Sequence, residues 1–339
     1  MTIPHDKVPP IRLSLPSKGR LSEDSLDFLA ACGLGVYKPN PRQYEARMPA
    51  LPELSVLFQR PGDIVVSVRD GSVDFGITGL DVLEERRGEN GDVLVLHDNL
   101  GFGYCSLSLA VPEEWDVQDV AGLQRYTRDL HRPLRVATRY PLLTARFLRD
   151  AIIDHTLISA EGTLETAPAI GYADIISDLV SSGQTLRDNR LQSLTDGIIL
   201  KSQAALIAHT GALRRRPAAL QMARQLLEFF EAHLRAEENL AVFANMRGAS
   251  PEVIARRIFS QMTIGGLQGP TLSKVIVRDG DPNWYAVNII VRRSEIFKAI
   301  NELRSIGGSG VVVMPLTYIF EEEPPRYMAM LNALDLSSR

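Results

Sequence analysis

IRLSLPSKGRLSEDSLDFLAACG, residues 11–33, is the stretch on which the fold turns. IRLSL, at 11–15, reads as a short buried strand. The segment that follows reads as a helix, with Gly19 supplying the turn, Ser22 as N-cap and Gly33 as the stop. The same alternation continues downstream. LSVLFQRP (54–61) is a second strand, and Asp63 to Asp70 a short helix capped by Asp63. VDFGITG (73–79) is a strand running into a glycine turn, and LDVLEERRG a helix. Strands alternating with helices imply a mainly parallel sheet.

The pattern restarts after residue 105. SLSLAVP and LRVATRYP (134–141) are strands, LLTARFLRDAI is an amphipathic helix, and two further apolar runs, IGYADIISDLV and DGIILKSQAALIA, are strands. Residues 113–133 are polar and irregular, a surface excursion. Residues 211–237 carry helical periodicity through Leu220, Ala223, Leu226, Leu227, Phe230 and Leu234. The last hundred residues change character: strand, helix capped by Ser250 with Pro251 at its first position, two strands, helix closed by Gly307–Gly308, and VVVMPLTYIF as a final strand. The order β-α-β-β-α-β is the ferredoxin-like split unit.

Composition narrows the function classes. A chain of 339 residues points to two or three domains. Hydrophobic residues at 45% and charged residues at 23% are ordinary globular usage, which excludes a disordered or collagen-like chain. No apolar run reaches the roughly 18 residues of a membrane helix, and the start lacks the apolar core of a signal peptide. Two cysteines exclude a disulfide framework and favour the cytoplasm. A net charge of −4 shows no global nucleic-acid footprint, and Arg214–Arg215–Arg216 reads as a solvated helix start. Nucleophile-elbow, Walker A and zincin motifs are all absent.

The chemistry-bearing segments are few. In GTLETAPAIGYADIISDLVSSGQTL (162–186), Asp174 and Asp178 lie four apart, and Ser181, Ser182, Gly183, Gln184 and Thr185 form a small polar loop. Such a loop suits a phosphate, since glycine permits close approach and hydroxyls donate, while carboxylates just upstream suit ribose hydroxyls or Mg²⁺. A helix end with a Ser/Gly stop has the same composition. Lys18 and Arg20, flanking Gly19, suit a polyphosphate. Thr138 and Arg139 fall at the C-terminal end of a strand, where open α/β sheets hold ligands. Asp74, Gly76 and Gly79 form a glycine-rich turn that allows close approach. For the Lys18, Thr138 and Asp74 segments the alternative is a routine solvated loop.

Taken together, SKGRLSEDS, DFGITGLDVLEE, ATRYP, GTLETAPAIGYADIISDLVSSGQTL, GLQGPTLS and IGGSGVVVMPLTYIFEEEPPRY resemble the ATP phosphoribosyltransferases in their long, feedback-regulated form. The resemblance implies two α/β lobes like those of type II periplasmic binding proteins, with the active site between them, and a C-terminal regulatory domain that binds histidine. It implies transfer of the phosphoribosyl group of phosphoribosyl pyrophosphate to N1 of ATP with Mg²⁺, and hexamers built from dimers. The corresponding boundaries are 1–106 for lobe I, completed by 193–225, 107–192 for lobe II, and 226–339 for a linker helix and the regulatory domain. By the same resemblance Ser181 to Thr185 hold the 5-phosphate, Asp174 and Asp178 face the ribose hydroxyls and Mg²⁺, and Glu165 lies close by. Lys18, Arg20, Thr138 and Arg139 meet phosphates of ATP or pyrophosphate, Asp74 and Gly79 border the nucleotide cleft, and Arg42 and Tyr44 join the ATP site. Thr271 and Ser273, in the loop Gln268–Ser273, bind the effector. A bilobed binding module, either solute receptor or effector sensor, is the alternative on the same fold.

Overall fold

The computed structural model describes residues 10–40, 43–159, 163–266, 269–277 and 283–336. The chain divides into two compact units, Met1–Gln225 with Arg326–Arg339, and Leu226–Pro325.

The first unit opens with β1 (Ile11–Pro16), α1 (Arg20–Ala31), β2 (Glu45–Arg47), β3 (Leu54–Gln59), α2 (Pro61–Arg69), β4 (Phe75–Gly79), α3 (Leu80–Arg86) and β5 (Val93–His97). A second lobe follows: β6 (Cys105–Pro112), α4 (Val120–Asp129), β7 (Leu134–Thr138), α5 (Pro141–Asp150), β8 (His155–Ser159), β9 (Ile175–Val180), α6 (Gln184–Asp188) and β10 (Leu191–Ser202). The chain then returns through β11 (Ala204–His209) and α7 (Thr210–Arg215).

The sheet orders are β2-β3-β1-β4-β11-β5 and β10-β6-β9-β7-β8. In each, three parallel strands stand beside an antiparallel strand delivered by a crossing from the other lobe: β11 in the first sheet, β6 in the second. Two sheets exchanging one strand each is the bilobed arrangement of type II periplasmic binding proteins. The crossings run at 98–104 and at Ser202–Gln203. They pair with each other, Leu100 N–H donating to the Ala204 carbonyl and Ala204 N–H to that of Phe102, both at 3.0 Å.

Several expected boundaries move. Helix α1 starts at Arg20 rather than after Ser22, because Gly19 at φ 78° turns the chain at once. Helix α2 starts at Pro61, whose fixed φ suits a first turn. The 113–133 excursion contains α4, capped by Asp119, whose carboxylate accepts the Gly122 N–H at 2.6 Å. Only Leu123 of α4 is fully buried, so its apolar stripe is faint in the sequence. Strands β5 and β8 are additional to those expected. Strand β10 stays in the second sheet from Leu191 to Ser202, so the chain regains the first lobe near residue 204 rather than 193. Arg216, extended before Pro217, splits the expected 211–237 helix into α7 and α8 (Pro217–Glu237).

The second unit contains β12 (Asn239–Arg247), α9 (Pro251–Phe259), β13 (Thr271–Lys274), β14 (Trp284–Arg292), α10 (Ile296–Ser305) and β15 (Ser309–Pro315). Its sheet, β13-β14-β12-β15, is antiparallel throughout and ferredoxin-like. Alternate residues of β12 and β14 (Val242, Ala244, Met246, Val287, Ile289) pack on Ile254 and Ile258 of α9 and Leu303 of α10. The last strand was expected to run to Phe320 but ends at Pro315. Beyond it Ile319 N–H donates to the Ala232 carbonyl of α8 at 3.0 Å, and Tyr318 and Phe320 flank Phe229. The final helix, α11 (Pro325–Ala333), rejoins the first unit from Arg326 onward and buries Met330. Among the described residues no helix is long and apolar enough to cross a membrane.

Candidate active site

Parallel strands put their C-terminal ends along one edge of each sheet, the edge where such folds hold ligands. In the second lobe β7 and β9 run in register, Thr138 beside Ser177. Arg139 and Asp178 therefore emerge together, with Arg139 Nη2 4.0 Å from Asp178 Oδ2. Asp178 is mostly buried. Burial pushes its carboxyl above the ordinary range and the Glu165 carboxylate adds to this; the Leu179 amide, donating at 2.8 Å, and Arg139 pull the other way. Glu165 sits on a short 3₁₀ turn, Leu164–Thr166.

Directly after β9 the chain turns through Ser181–Thr185. Gly183 is left-handed at φ 70°, a conformation that glycine adopts freely. The Ser182 hydroxyl accepts the Gln184 N–H at 3.3 Å. Ser181, Ser182, Gln184 and Thr185 are exposed; the Gln184 carboxamide donates to Asp188 Oδ1 at 2.6 Å and accepts from Arg187 at 3.0 Å.

Beneath this edge lies a chain of buried hydroxyls. Thr138 Oγ1 is 3.2 Å from Thr144 Oγ1, which is 2.9 Å from Ser177 Oγ, and the Tyr140 N–H donates to Thr138 Oγ1 at 2.9 Å. Of the two residues expected to meet phosphates here, Thr138 has a fully buried hydroxyl that is already bonded, and Arg139 is the exposed member of the pair.

Two acids of the expected set lie at the opposite ends of their strands. Asp174 precedes β9 at its N-terminal end, four residues from Asp178, or about 13 Å along an extended strand. Its carboxylate is gripped by Arg132 at 2.6 and 2.9 Å, by the Arg135 guanidinium at 2.8 Å and by the Arg135 N–H at 2.8 Å. Burial raises its pKa, but these arginine hydrogen bonds outweigh that and hold it well below the carboxylate range. Every lone-pair direction is spent, so Asp174 is unsuited to ribose or Mg²⁺. Asp74 occupies the matching place before β4: it accepts the Arg12 N–H at 2.9 Å and pairs with Arg216 at 2.6 Å. It too lies at the wrong end of its strand for a cleft.

In the first lobe the C-terminal edge carries Lys18 and Arg20 after β1 and Gly79 closing β4. Lys18 and Arg20 are exposed, and Arg20 Nε lies 3.6 Å from Asp24 Oδ2. Arg60, which the sequence reading passed over, caps α2 at the same edge, directly after β3 and beside the β1 loop, since Ser17 N–H donates to the Gln59 carbonyl at 2.8 Å. Its signal was a cation immediately following a strand, as at Lys18. Tyr44 is largely exposed; Arg42 and Gln268 lie outside the described residues. In the second unit Thr271 and Ser273 lie on one face of edge strand β13, exposed, opposite Asn288 and Ala286.

Among the described residues no group of three or more His, Cys, Asp or Glu is placed to hold a metal ion. With Asp174 committed to arginines, Asp178 and Glu165 are the remaining carboxylates of the expected set. Two carboxylates with substrate phosphates suffice for Mg²⁺, which keeps part of its water shell.

The sequence matches the family model described as ATP phosphoribosyltransferase over residues 60–230, and that described as HisG, C-terminal domain, over residues 236–318. It is 46% identical over 336 residues to ATP phosphoribosyltransferase 2, chloroplastic, of Arabidopsis thaliana, covering 96% of this chain and 81% of that one. It is 33% identical to the ATP phosphoribosyltransferase of Methanothermobacter thermautotrophicus, covering 91% and 99%. A chain of the ATP phosphoribosyl transferase (HisG:HisZ) complex from Thermotoga maritima shares the fold, with a TM-score of 0.50 and 23% identity over 65% of this chain and 98% of that one.

Proposed function

We propose a division of labour among these residues from the premise that this chain belongs to the ATP phosphoribosyltransferase family. The protein is an ATP phosphoribosyltransferase of histidine biosynthesis: N1 of the adenine attacks C1 of the ribose of phosphoribosyl pyrophosphate, and pyrophosphate leaves. The binding-module alternative is not favoured.

Charge develops in opposite senses in this reaction, positive on the ribose and negative on the leaving pyrophosphate. Catalysis is then positioning and electrostatics, with no enzyme nucleophile required. In our reading Ser181–Thr185 hold the 5-phosphate through hydroxyls and amides, with Gly183 allowing the backbone to come close. Asp178 accepts from the ribose hydroxyls, with Glu165 beside it. Arg139, Lys18 and Arg20 bind phosphates of pyrophosphate and ATP, and Arg60 joins them. Gly79 borders the nucleotide. Mg²⁺ bound with pyrophosphate neutralises charge on the leaving group, and Asp178 and Glu165 are the side chains that would hold it.

The single observation that carries this reading is the convergence at one strand edge of two segments, Arg139 after β7, and Asp178 with the Ser181–Thr185 turn at the end of β9. The experiment is direct: mixing the protein with ATP, phosphoribosyl pyrophosphate and Mg²⁺ releases pyrophosphate, and omission of either substrate abolishes it.

The second unit binds histidine at Thr271 and Ser273 in this reading and inhibits the enzyme. Support comes from Asn288, opposite Thr271 in the ladder and so on the same sheet face, whose carboxamide oxygen is buried without a hydrogen-bond partner. A buried acceptor lacking a donor costs about 1–3 kcal/mol, which an ammonium or imidazole N–H would recover. Self-association into hexamers from dimers and a cytoplasmic location complete the proposal.

A further inference from the structure

The two lobes touch through a set of hydrogen bonds that binding and chemistry leave unused. Asp81, in the first turn of α3 and only 4% exposed, accepts the Tyr140 hydroxyl at 2.6 Å on Oδ2 and the Ser202 hydroxyl on Oδ1. Ser202 Oγ in turn accepts the Asp81 N–H at 3.0 Å. One helical turn along α3, Glu85 accepts the N–H groups of Leu142 and Leu143 at 2.8 and 3.0 Å, taking up two free amides in the first turn of α5. A Cβ on Gly79 would overlap Asp81 Oδ1, so glycine there makes room for the carboxylate.

These contacts join three separate bodies. Asp81 and Glu85 belong to the first lobe, Tyr140 and the α5 amides to the second, and Ser202 to the second crossing between them. Separating α3 from α5 would take the Tyr140 donor from a buried carboxylate and the Glu85 acceptor from two amides of α5, leaving Asp81 with Ser202 alone. That contact is expensive to break and therefore holds its geometry. Tyr140 also adjoins Arg139. Its own N–H is tied to Thr138 and its ring packs on Leu107 and Leu143, so the backbone of Arg139 is held from both sides. Burial first, and then the Asp81 carboxylate, push the Tyr140 hydroxyl far above its ordinary pKa, so it remains a donor throughout the working pH range.

We propose that Asp81, Glu85, Tyr140 and Ser202 form a clasp that sets the register of the two lobes, and that Tyr140 and Asp81 are positioning residues which aim Arg139 at the leaving group. The inference rests on the assignment of Arg139 to the phosphate site. It concerns only alignment: the phosphoribosyl loop lies wholly in the second lobe and does not depend on the clasp.

The test uses the full chain and Tyr140→Phe, which keeps the ring and removes only the hydroxyl, with Glu85→Gln as an independent second variant and Arg139→Ala as control. Each is measured for kcat, KM for ATP, equilibrium binding of phosphoribosyl pyrophosphate alone, and Tm. The expected result is a fall in kcat of about ten- to a hundredfold for Tyr140→Phe, the scale of a small misplacement, with a smaller fall for Glu85→Gln. In both, phosphoribosyl pyrophosphate affinity falls far less than kcat, and Tm drops by no more than the loss of one buried hydrogen bond, since Ser202 still donates to Asp81. A wild-type kcat in Tyr140→Phe, with Arg139→Ala impaired, overturns the clasp alone. Loss of phosphoribosyl pyrophosphate affinity fully in step with kcat, or a Tm so low that the variant unfolds at the assay temperature, overturns it in favour of a purely structural contact. Full activity in Arg139→Ala overturns the site assignment on which it rests.

Discussion

Three aspartates look alike in the sequence and differ in the fold. Asp74 and Asp174 stand at the N-terminal ends of β4 and β9, each tied to arginine and to the amide that opens the neighbouring strand, while Asp178 stands at the C-terminal end of β9 beside Arg139. Their substitutions should separate accordingly. Asp178→Asn should lower kcat by roughly a hundredfold, about 2.7 kcal/mol, with little change in stability; an unchanged rate at saturating Mg²⁺ would reduce Asp178 to a structural role. Asp174→Asn should spare the chemistry and cost roughly 1–3 kcal/mol of stability, a value kept modest because both arginines are partly exposed. The pH dependence has a definite sign. The Asp174 carboxyl is held below its unfolded value, so its stabilisation is complete above about pH 4 and drains away as the pH falls through the lower folded value. Urea unfolding at a series of pH values should show wild type and Asp174→Asn converging below about pH 4, and a constant gap down to pH 2 would contradict the ion-pair account.

The decisive element is the turn joining β9 to α6. Its hydroxyls are presented because Gly183 takes a left-handed conformation that reverses the chain within one residue. Valine at 183 must either adopt that conformation at a cost of about 1–2 kcal/mol or remodel the turn. A Cβ there would also press on Arg187 Nη1 at 3.1 Å. Gly183→Val should therefore lose phosphoribosyl pyrophosphate binding by at least about tenfold while its circular dichroism and Tm remain close to wild type. Wild-type affinity in that variant would take the phosphate away from this loop.

At the scale of the molecule the second unit is an insertion: the chain leaves the first unit within α8 and rejoins it with α11, where Arg326 meets Asp98 at 2.7 Å. Asp98 begins the first crossing between the lobes. A ligand bound near Thr271 inhibits only by binding one state of the enzyme better than another. Thr271→Ala combined with Ser273→Ala should leave kcat within about twofold of wild type and raise the histidine concentration for half-inhibition by about tenfold or more, on the usual scale of coupling energies. Reciprocity requires that histidine weaken substrate binding in wild type by the factor by which substrate weakens histidine. Histidine competing directly with phosphoribosyl pyrophosphate would remove the second unit from regulation.

What the sequence determined by itself was local or carried by contiguous motifs. The alternation of strands and helices, the βαββαβ order of the last hundred residues, and the Ser181–Thr185 loop were all legible because each depends on residues a few positions apart. Faint or short elements were not: α4 buries one side chain fully, and β5 and β8 are five residues each. Tertiary structure alone decided which end of a strand faced the cleft. Asp174 precedes β9 and Asp178 lies within it, and only the direction of β9 against β7, with Arg132 and Arg135 at one end and Arg139 at the other, gives the two acids different surroundings. The same is true of Asp81, whose partners are 59 and 121 residues away in sequence. Spacing along the chain encodes faces and turns, whereas long-range partnership arises only when separate segments compete to satisfy the same buried charge.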